Sequence, residues 1–332
     1  MDLNHILLFV AVISPLLILA RAWRPGGATH RGWINAALIV LGITGISWFF
    51  LRDYSGYIGG GAWFALLFLP AVGLKKVGDL ALRHRYKSAA RLATLLQLLH
   101  PTTELREQAR MLRMLESRVA TGILPQPLPT SPAPQNRLAG APVVLALIII
   151  NILAFAFELS RGNLDDPQVL HRLGALAWYD VVIDHEYWRL FSALFIHAGA
   201  LHLGFNLFAL YVLGPGLERT IGAVRFAICY LISGLGSTAG VVGLTSIGLV
   251  RPSELVGASG CIMGIVGAWA GFLFRNKRMP RARERLLNIG MIVVIQFFFD
   301  LSTPQVSMSA HLCGLLTGFV VGLLISPRHM VP

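Results

Sequence analysis

Long apolar stretches alternate with short charged connections along almost the whole chain. Three stretches precede residue 75, at 6–19, 33–51 and 58–74, and six follow residue 140, at 143–157, 190–213, 224–249, 258–274, 286–299 and 309–325. Each approaches the ~20 apolar residues that cross a bilayer as one helix, although the fifth of the later set is short without its flanks. The pattern predicts an all-α polytopic membrane protein with nine spans.

Between the two sets the pattern changes. Lys75, Lys76, Arg83, Arg85, Lys87 and Arg91 open a basic region, in which Ala89, Leu92, Leu95, Leu96 and Leu99 recur at helical spacing. His100-Pro101-Thr102-Thr103 interrupts that period, and Leu105, Ala109, Leu112 and Leu115 resume it on a second helix with Thr103 as the expected cap. A single helical hairpin cannot bury its own apolar face, so it must lean on a membrane surface, another subunit or the core. A basic amphipathic hairpin lying on anionic lipid is the favoured arrangement. The proline-rich run 125–134 then reads as a semi-extended linker and marks a domain boundary.

Composition agrees with the spans. Of the 332 residues, 55% are hydrophobic and 13% charged, with mean hydropathy +0.66, against roughly a quarter charged in soluble domains. The net charge of +12 comes from short basic runs between apolar stretches, the mark of cytoplasmic loops, so no nucleic-acid partner is expected. Met1 to His5 carries no Lys or Arg, whereas Arg21, Arg24 and Arg31 follow the first stretch. That order predicts a retained span with its N-terminus outside, not a secretory signal.

Both the linker region and the run Arg275 to Arg285 are basic, and four spans separate them, so both are placed on the cytoplasmic side. Glu158, Asp165, Asp166, Asp180, Asp184 and Glu186 fall in the outer loop after the first of the later spans, and the C-terminus ends inside. Multi-basic loops and the absence of a targeting signal fit a bacterial inner membrane, with an organellar membrane as the alternative. Cys229, Cys261 and Cys313 all lie in apolar stretches without a Cys-x-x-Cys, so neither a disulfide framework nor a metal site is expected, and no cofactor is called for.

Three windows carry candidate chemistry. Gly257-Ala258-Ser259-Gly260 places a hydroxyl at the mouth of a span, with glycines on both sides that let backbone and substrate come close. Gly260 and Gly264 also form a helix-packing pattern. In the second window, His202 and Asn206 are four residues apart and share a helix face within an apolar span, where polar groups are costly. They suit either an interhelical hydrogen bond or a site. The third window begins at His311, with Gly314 and Gly318 spaced for close helix approach. By the span count all three windows meet near the outer ends of their helices.

His197-x-x-x-x-His202-x-x-x-Asn206, Gly257-x-Ser259-Gly260 and Ala310-His311-x-x-Gly314-x-x-x-Gly318 occur in that order. With them come Glu186-Tyr187-Trp188-Arg189 and Glu218-Arg219. This set resembles the rhomboid family of intramembrane serine proteases over roughly residues 141–326. The resemblance implies a six-helix core, preceded here by about three extra spans and a cytoplasmic helical hairpin, with a Ser–His dyad opening to the outer face.

It further implies Ser259 as nucleophile and His311 as general base, with His202, Asn206 and the Ser259 N–H as oxyanion donors beside Gly257. Trp188, Arg189, Gly260, Gly264, Gly314 and Gly318 become structural motif positions. Transmembrane proteins are the implied substrates and the bilayer the implied surroundings; oligomeric state is not read from the sequence. No third acidic member is implied, and no carboxylate in the sequence stands out as a partner for His311. The family often carries an aromatic four residues after the serine, where this chain has Met263.

Other activities fit less well. His-Glu-x-x-His is missing, which argues against a zinc protease, and Tyr179-Asp180 has no Gly-x-Gly-Asp counterpart for aspartyl chemistry. A catalytically silent client-binding chaperone of the same fold is the alternative, although binding requires neither Ser259 nor His311. A transporter would show broken repeats, which are not evident. The expected division is a membrane region at 1–74, the hairpin at 75–122, the linker at 123–140, the core at 141–326 and a tail at 327–332.

Overall fold

The computed structural model describes residues 3–22, 31–121, 138–164, 166–303 and 306–325. The expected linker at 125–134, Asp165 and the expected tail at 327–332 lie outside the described residues. An isolated antiparallel bridge between Leu176 and Leu255 accompanies an otherwise helical chain. Two compact units form, one within residues 2–134 and one within 135–332.

In the first unit, α1 (Leu3–Ala22), α2 (Arg31–Phe50) and α3 (Ser55–Trp63) pack side by side. Gly56, Gly59 and Gly60 let α3 approach closely, since a side chain there would strike Asn4, Thr44 and Leu7 respectively. A π-turn at Phe64–Phe68 joins α3 to α4 (Leu69–Leu82). Pro70 has no N–H to give the carbonyl of Leu66, and the helix widens just before it.

Two more helices, α5 (Tyr86–Leu96) and α6 (Thr103–Ala120), form the hairpin. Ala89, Ala93, Leu96, Leu105, Ala109 and Leu112 bury against one another and against Val77 of α4. Part of the face that the hairpin cannot bury alone is thus covered by the polar extension of a span. The cap of α6 is Thr102 instead of the expected Thr103: its hydroxyl accepts from the Leu105 N–H at 3.3 Å. Thr102 is the extended residue just outside the helix, which is where a cap must sit.

The second unit holds α7 (Pro142–Arg161), the short α8 (Pro167–Leu173), α9 (Trp178–Val182) and α10 (Arg189–Ser192), then α11 (Ala200–Ile221), α12 (Ala223–Ser246), α13 (Ser259–Arg275), α14 (Ala282–Ser302) and α15 (Met308–Leu324). Among the described residues, seven helical segments are long and apolar enough to cross a membrane, and α13 and α15 are shorter apolar helices. The protein is a multi-pass integral membrane protein. Helix is the expected form, because lipid offers no partner for a free N–H or C=O.

At the centre of this unit lies α13, with Ile265, Ala268 and Phe272 fully buried. Its 17 residues span about 25 Å, less than the ~30 Å of a hydrocarbon core. Surrounded by protein, it need not match the bilayer, and its start can sit below the surface. Glycines bring α15 against it backbone to backbone. A side chain at Gly314 would run into the Gly260 carbonyl, one at Gly318 into that of Gly264, and one at Gly322 into that of Ala268. At the opposite end, the buried Glu218 carboxylate of α11 accepts from the N–H groups of Val143 and Val144, each at 2.9 Å, and so caps the start of α7.

Two expectations need correction. The second later span does not run over 190–213: the chain makes the short α10, turns, and starts α11 only at Ala200. Arg189 is pinned by loop carbonyls, and Gly199 caps α11 at a φ of +97°, so no continuous helix can pass through 193–199. Glu158 is not an outer-loop carboxylate either. It belongs to α7, is buried, and accepts from the His197 N–H at 3.1 Å.

Candidate active site

The residue that begins α13 is Ser259, so its N–H is among the groups at a helix start that have no partner within the helix. The segment before it is held by backbone bonds. Leu176 and Leu255 exchange hydrogen bonds at 3.0 and 2.8 Å, and Gly257 donates to the Ala193 carbonyl at 2.8 Å. Gly257 takes a φ of +113°, which a side chain would strain.

That register depends on Arg189. Its guanidinium is buried and donates to the carbonyls of His171 at 2.6 Å and Ala175 at 2.8 Å. It also pairs with Glu186, stands 3.5 Å from Asp180, and lies 4.6 Å over the Trp188 ring. The loop it gathers ends in Leu176, the partner of Leu255. Arg189, with the Trp188 ring against it, is thus linked through that loop to the backbone that precedes Ser259.

On α11, His202 and Asn206 face Gly257. A Cβ placed on Gly257 would stand 2.6 and 2.7 Å from His202 Cε1 and Nε2, and 3.6 Å from Asn206 Nδ2. Asn206 Nδ2 donates one proton to the His202 carbonyl at 3.0 Å, leaving its second proton available. The His197 ring supports His202 edge-on at 5.3 Å, and its Nδ1 lies 3.1 Å from the Phe195 carbonyl. A cavity of about 110 Å³ opens here, lined in part by His202, Gly257, Ser259, Ser237, Glu254 and Ser307. Apolar side chains such as Leu194 and Val256 line the rest of it; the space is large enough for several waters, with these polar groups as their partners.

His311 does not line the cavity; it lies in the first turn of α15, beside it. Ser237 donates to the Ala310 carbonyl at 2.6 Å, and a Cβ on Gly260 would meet that Ser237 hydroxyl and stand 3.8 Å from the same carbonyl. The neighbours of Ser259 and of His311 thus touch. Among the described residues the Ser259 hydroxyl makes no hydrogen bond. Catalytic bonds are often long before substrate arrives.

The sequence singled out no partner for His311, yet the structure supplies one. His311 Nδ1 lies 2.8 and 3.0 Å from the two carboxylate oxygens of Asp300 on α14, and Gln296 Nε2 donates to Asp300 at 2.8 Å. Both members of the pair are buried. Asp300 follows an apolar run and reads along the chain as the polar end of a span; only the packing of α14 against α15 turns it inward. Met263 is buried within α13.

Comparison with known proteins places the same stretch in one group. The profile of the Rhomboid domain matches residues 184–328. RHOMBOID-like protein 6, mitochondrial, of Arabidopsis thaliana is 38% identical over 180 residues, covering 52% of this chain and 57% of that protein. The rhomboid protease GluP of Bacillus subtilis (strain 168) is 32% identical over 181 residues, covering 54% of this chain and 34% of its own length. A second relative from that organism, the rhomboid-family protein YdcA, is 33% identical over 145 residues, covering 43% of this chain and 69% of that protein. The chain spans about half the length of the Arabidopsis relatives it matches.

Proposed function

The chain belongs to the rhomboid family, and we propose that it is an intramembrane serine endopeptidase with Ser259 as its nucleophile. The observation that carries this is the meeting of Ser259, His202 and Gly257 at one cavity, with the Asn206 amide close to Gly257. In the proposed reaction Ser259 Oγ bonds to the scissile carbonyl carbon as its proton passes to His311. The carbonyl oxygen becomes an oxyanion facing the Ser259 N–H, the free proton of Asn206 and the His202 ring. His311 returns the proton to the leaving amine as the C–N bond breaks, and water from the cavity then hydrolyses the acyl-enzyme by the same route. Each oxyanion donor is worth on the order of 3 kcal/mol.

The substrates are transmembrane proteins, cut near their outer ends where a helix can unwind. Residues 141–326 form the protease core in this proposal, and residues 1–140 are an appended membrane and hairpin region. Basic loops on the inner side suit a bacterial inner membrane.

The test is fluorophosphonate labelling of the full chain in detergent, wild type beside Ser259→Ala, His311→Ala and Asn206→Ala. Wild type should label, the first two variants should not, and Asn206→Ala should slow by about 10²–10³-fold. An unlabelled wild type, under conditions that label another rhomboid protease, would shift the assignment to a client-binding protein of the same fold.

A further inference from the structure

The pairing on the far side of His311 goes beyond a two-residue mechanism. We propose that Asp300 is a positioning residue that fixes the tautomer and orientation of His311, making a Ser259–His311–Asp300 relay; this rests on the serine-protease assignment above. Three observations carry it. Both Asp300 oxygens lie within 3.0 Å of His311 Nδ1. A carboxylate cannot face a ring-nitrogen lone pair at that distance, and the Gln296 amide, 3.3 Å from the same Nδ1, gives its proton to the nearer Asp300 Oδ1; Nδ1 therefore carries the proton and donates it to the carboxylate, leaving the Nε2 lone pair as the base.

Next, α14 is the least buried of the long helices in its unit: only Ala282, Ile289 and Asp300 of its residues are buried. A helix that turns so few positions inward turns its one aspartate onto the histidine. A carboxylate in an apolar span is costly unless it is paired, so the pair explains why it is tolerated. Finally, Gln296 Nε2 donates to Asp300 Oδ1, so the carboxylate is itself held in place one turn away along α14. Met263, a flexible side chain four residues beyond Ser259, offers no rigid ring to orient an imidazole. The Asp300 carboxylate supplies that orientation instead. It also stabilises the imidazolium that forms when His311 takes the Ser259 proton, without taking the proton itself.

Two measurements on the full chain in detergent test this. The first is the fluorophosphonate labelling rate resolved into probe affinity and maximal inactivation rate. Asp300→Asn should leave affinity unchanged and lower the maximal rate at least about tenfold, since the amide swap in soluble serine proteases costs ~10⁴. A smaller loss overturns the proposal. The second measurement is independent of activity, and its wild-type arm does not depend on how well a variant folds. In protein with ¹⁵N-labelled histidine, a far-downfield Nδ1–H resonance assigned to His311 should appear in wild type and in Ser259→Ala, and vanish in Asp300→Asn. Its absence from wild type, or its survival in Asp300→Asn, refutes the pairing. A wild type that shows the resonance but never labels would sink the protease assignment and leave the Asp300–His311 pair standing.

Discussion

Replacing Gly257 by alanine loads two separable strains onto the candidate active site. The first is local: at a φ of +113°, a side chain costs about 1–2 kcal/mol from its contact with the backbone. The second is tertiary: the new methyl would stand 2.6 Å from His202 Cε1, against about 3.5–4.0 Å for carbon atoms in contact. The buried His197 ring packs edge-on against the His202 ring at 5.3 Å and limits its retreat on that side. Forced packing of this kind costs about 1–3 kcal/mol, so Gly257→Ala should lose about 2–5 kcal/mol in all. Removing the ring by His202→Ala relieves the second strain and leaves the first. In the double variant Gly257→Ala should therefore cost only about 1–2 kcal/mol, a coupling of about 1–3 kcal/mol between the two sites. Reversible unfolding in mixed micelles of dodecyl maltoside and SDS measures all four proteins. In parallel, labelling of Ser259 should slow at least about tenfold in the single variant, as displaced donors lose their aim. Strict additivity of the two substitutions, or a Gly257→Ala protein as stable as wild type, would show that His202 does not sit against Gly257.

Glu218→Gln keeps the shape of the cap on α7 but removes its charge and one of two acceptor oxygens for Val143 and Val144. It should lower stability by about 1–3 kcal/mol in the same unfolding assay and leave the labelling rate of the folded fraction unchanged; unaltered stability would contradict the capping role. In the first unit, burial holds the His100 imidazole below its ordinary value, with Glu104 pulling weakly the other way. The folded state thus binds its proton less readily than the unfolded chain. The associated stability is complete above about pH 6.5 and is lost as the pH falls through the lower folded value. The Trp33 ring lies 4.6 Å from His100, so tryptophan emission should change over that acid range in wild type and stay flat in His100→Phe. Identical titrations of the two proteins would remove His100 from the account.

Much of this molecule is local and therefore legible along the chain. Apolar runs of bilayer length declare helices, because lipid leaves the backbone no other way to satisfy itself. His202 and Asn206 are four apart and Gly314 and Gly318 are four apart, so helical periodicity alone puts each pair on one face. The start of α11 was less legible. An apolar composition from 190 onward conceals the break at 193–199, since carbonyl contacts to Arg189 and the conformation of Gly199 set it, not hydrophobicity. The hairpin announced an apolar face but not its cover, because Val77 lies in a different pattern, the polar end of α4.

What the sequence by itself determined was the class of the protein and most of its helices, and it pointed to the residues proposed as nucleophile, base and oxyanion donors. What only the tertiary structure decided was which groups touch. The bond from Gly257 to Ala193, the fit of His202 against Gly257, and above all the carboxylate of Asp300 on His311 join residues far apart in the chain. Periodicity tells which face of a helix a residue occupies, but the neighbour on that face is chosen by packing between helices. An aspartate at the end of an apolar run looks the same in sequence whether it meets water or a histidine.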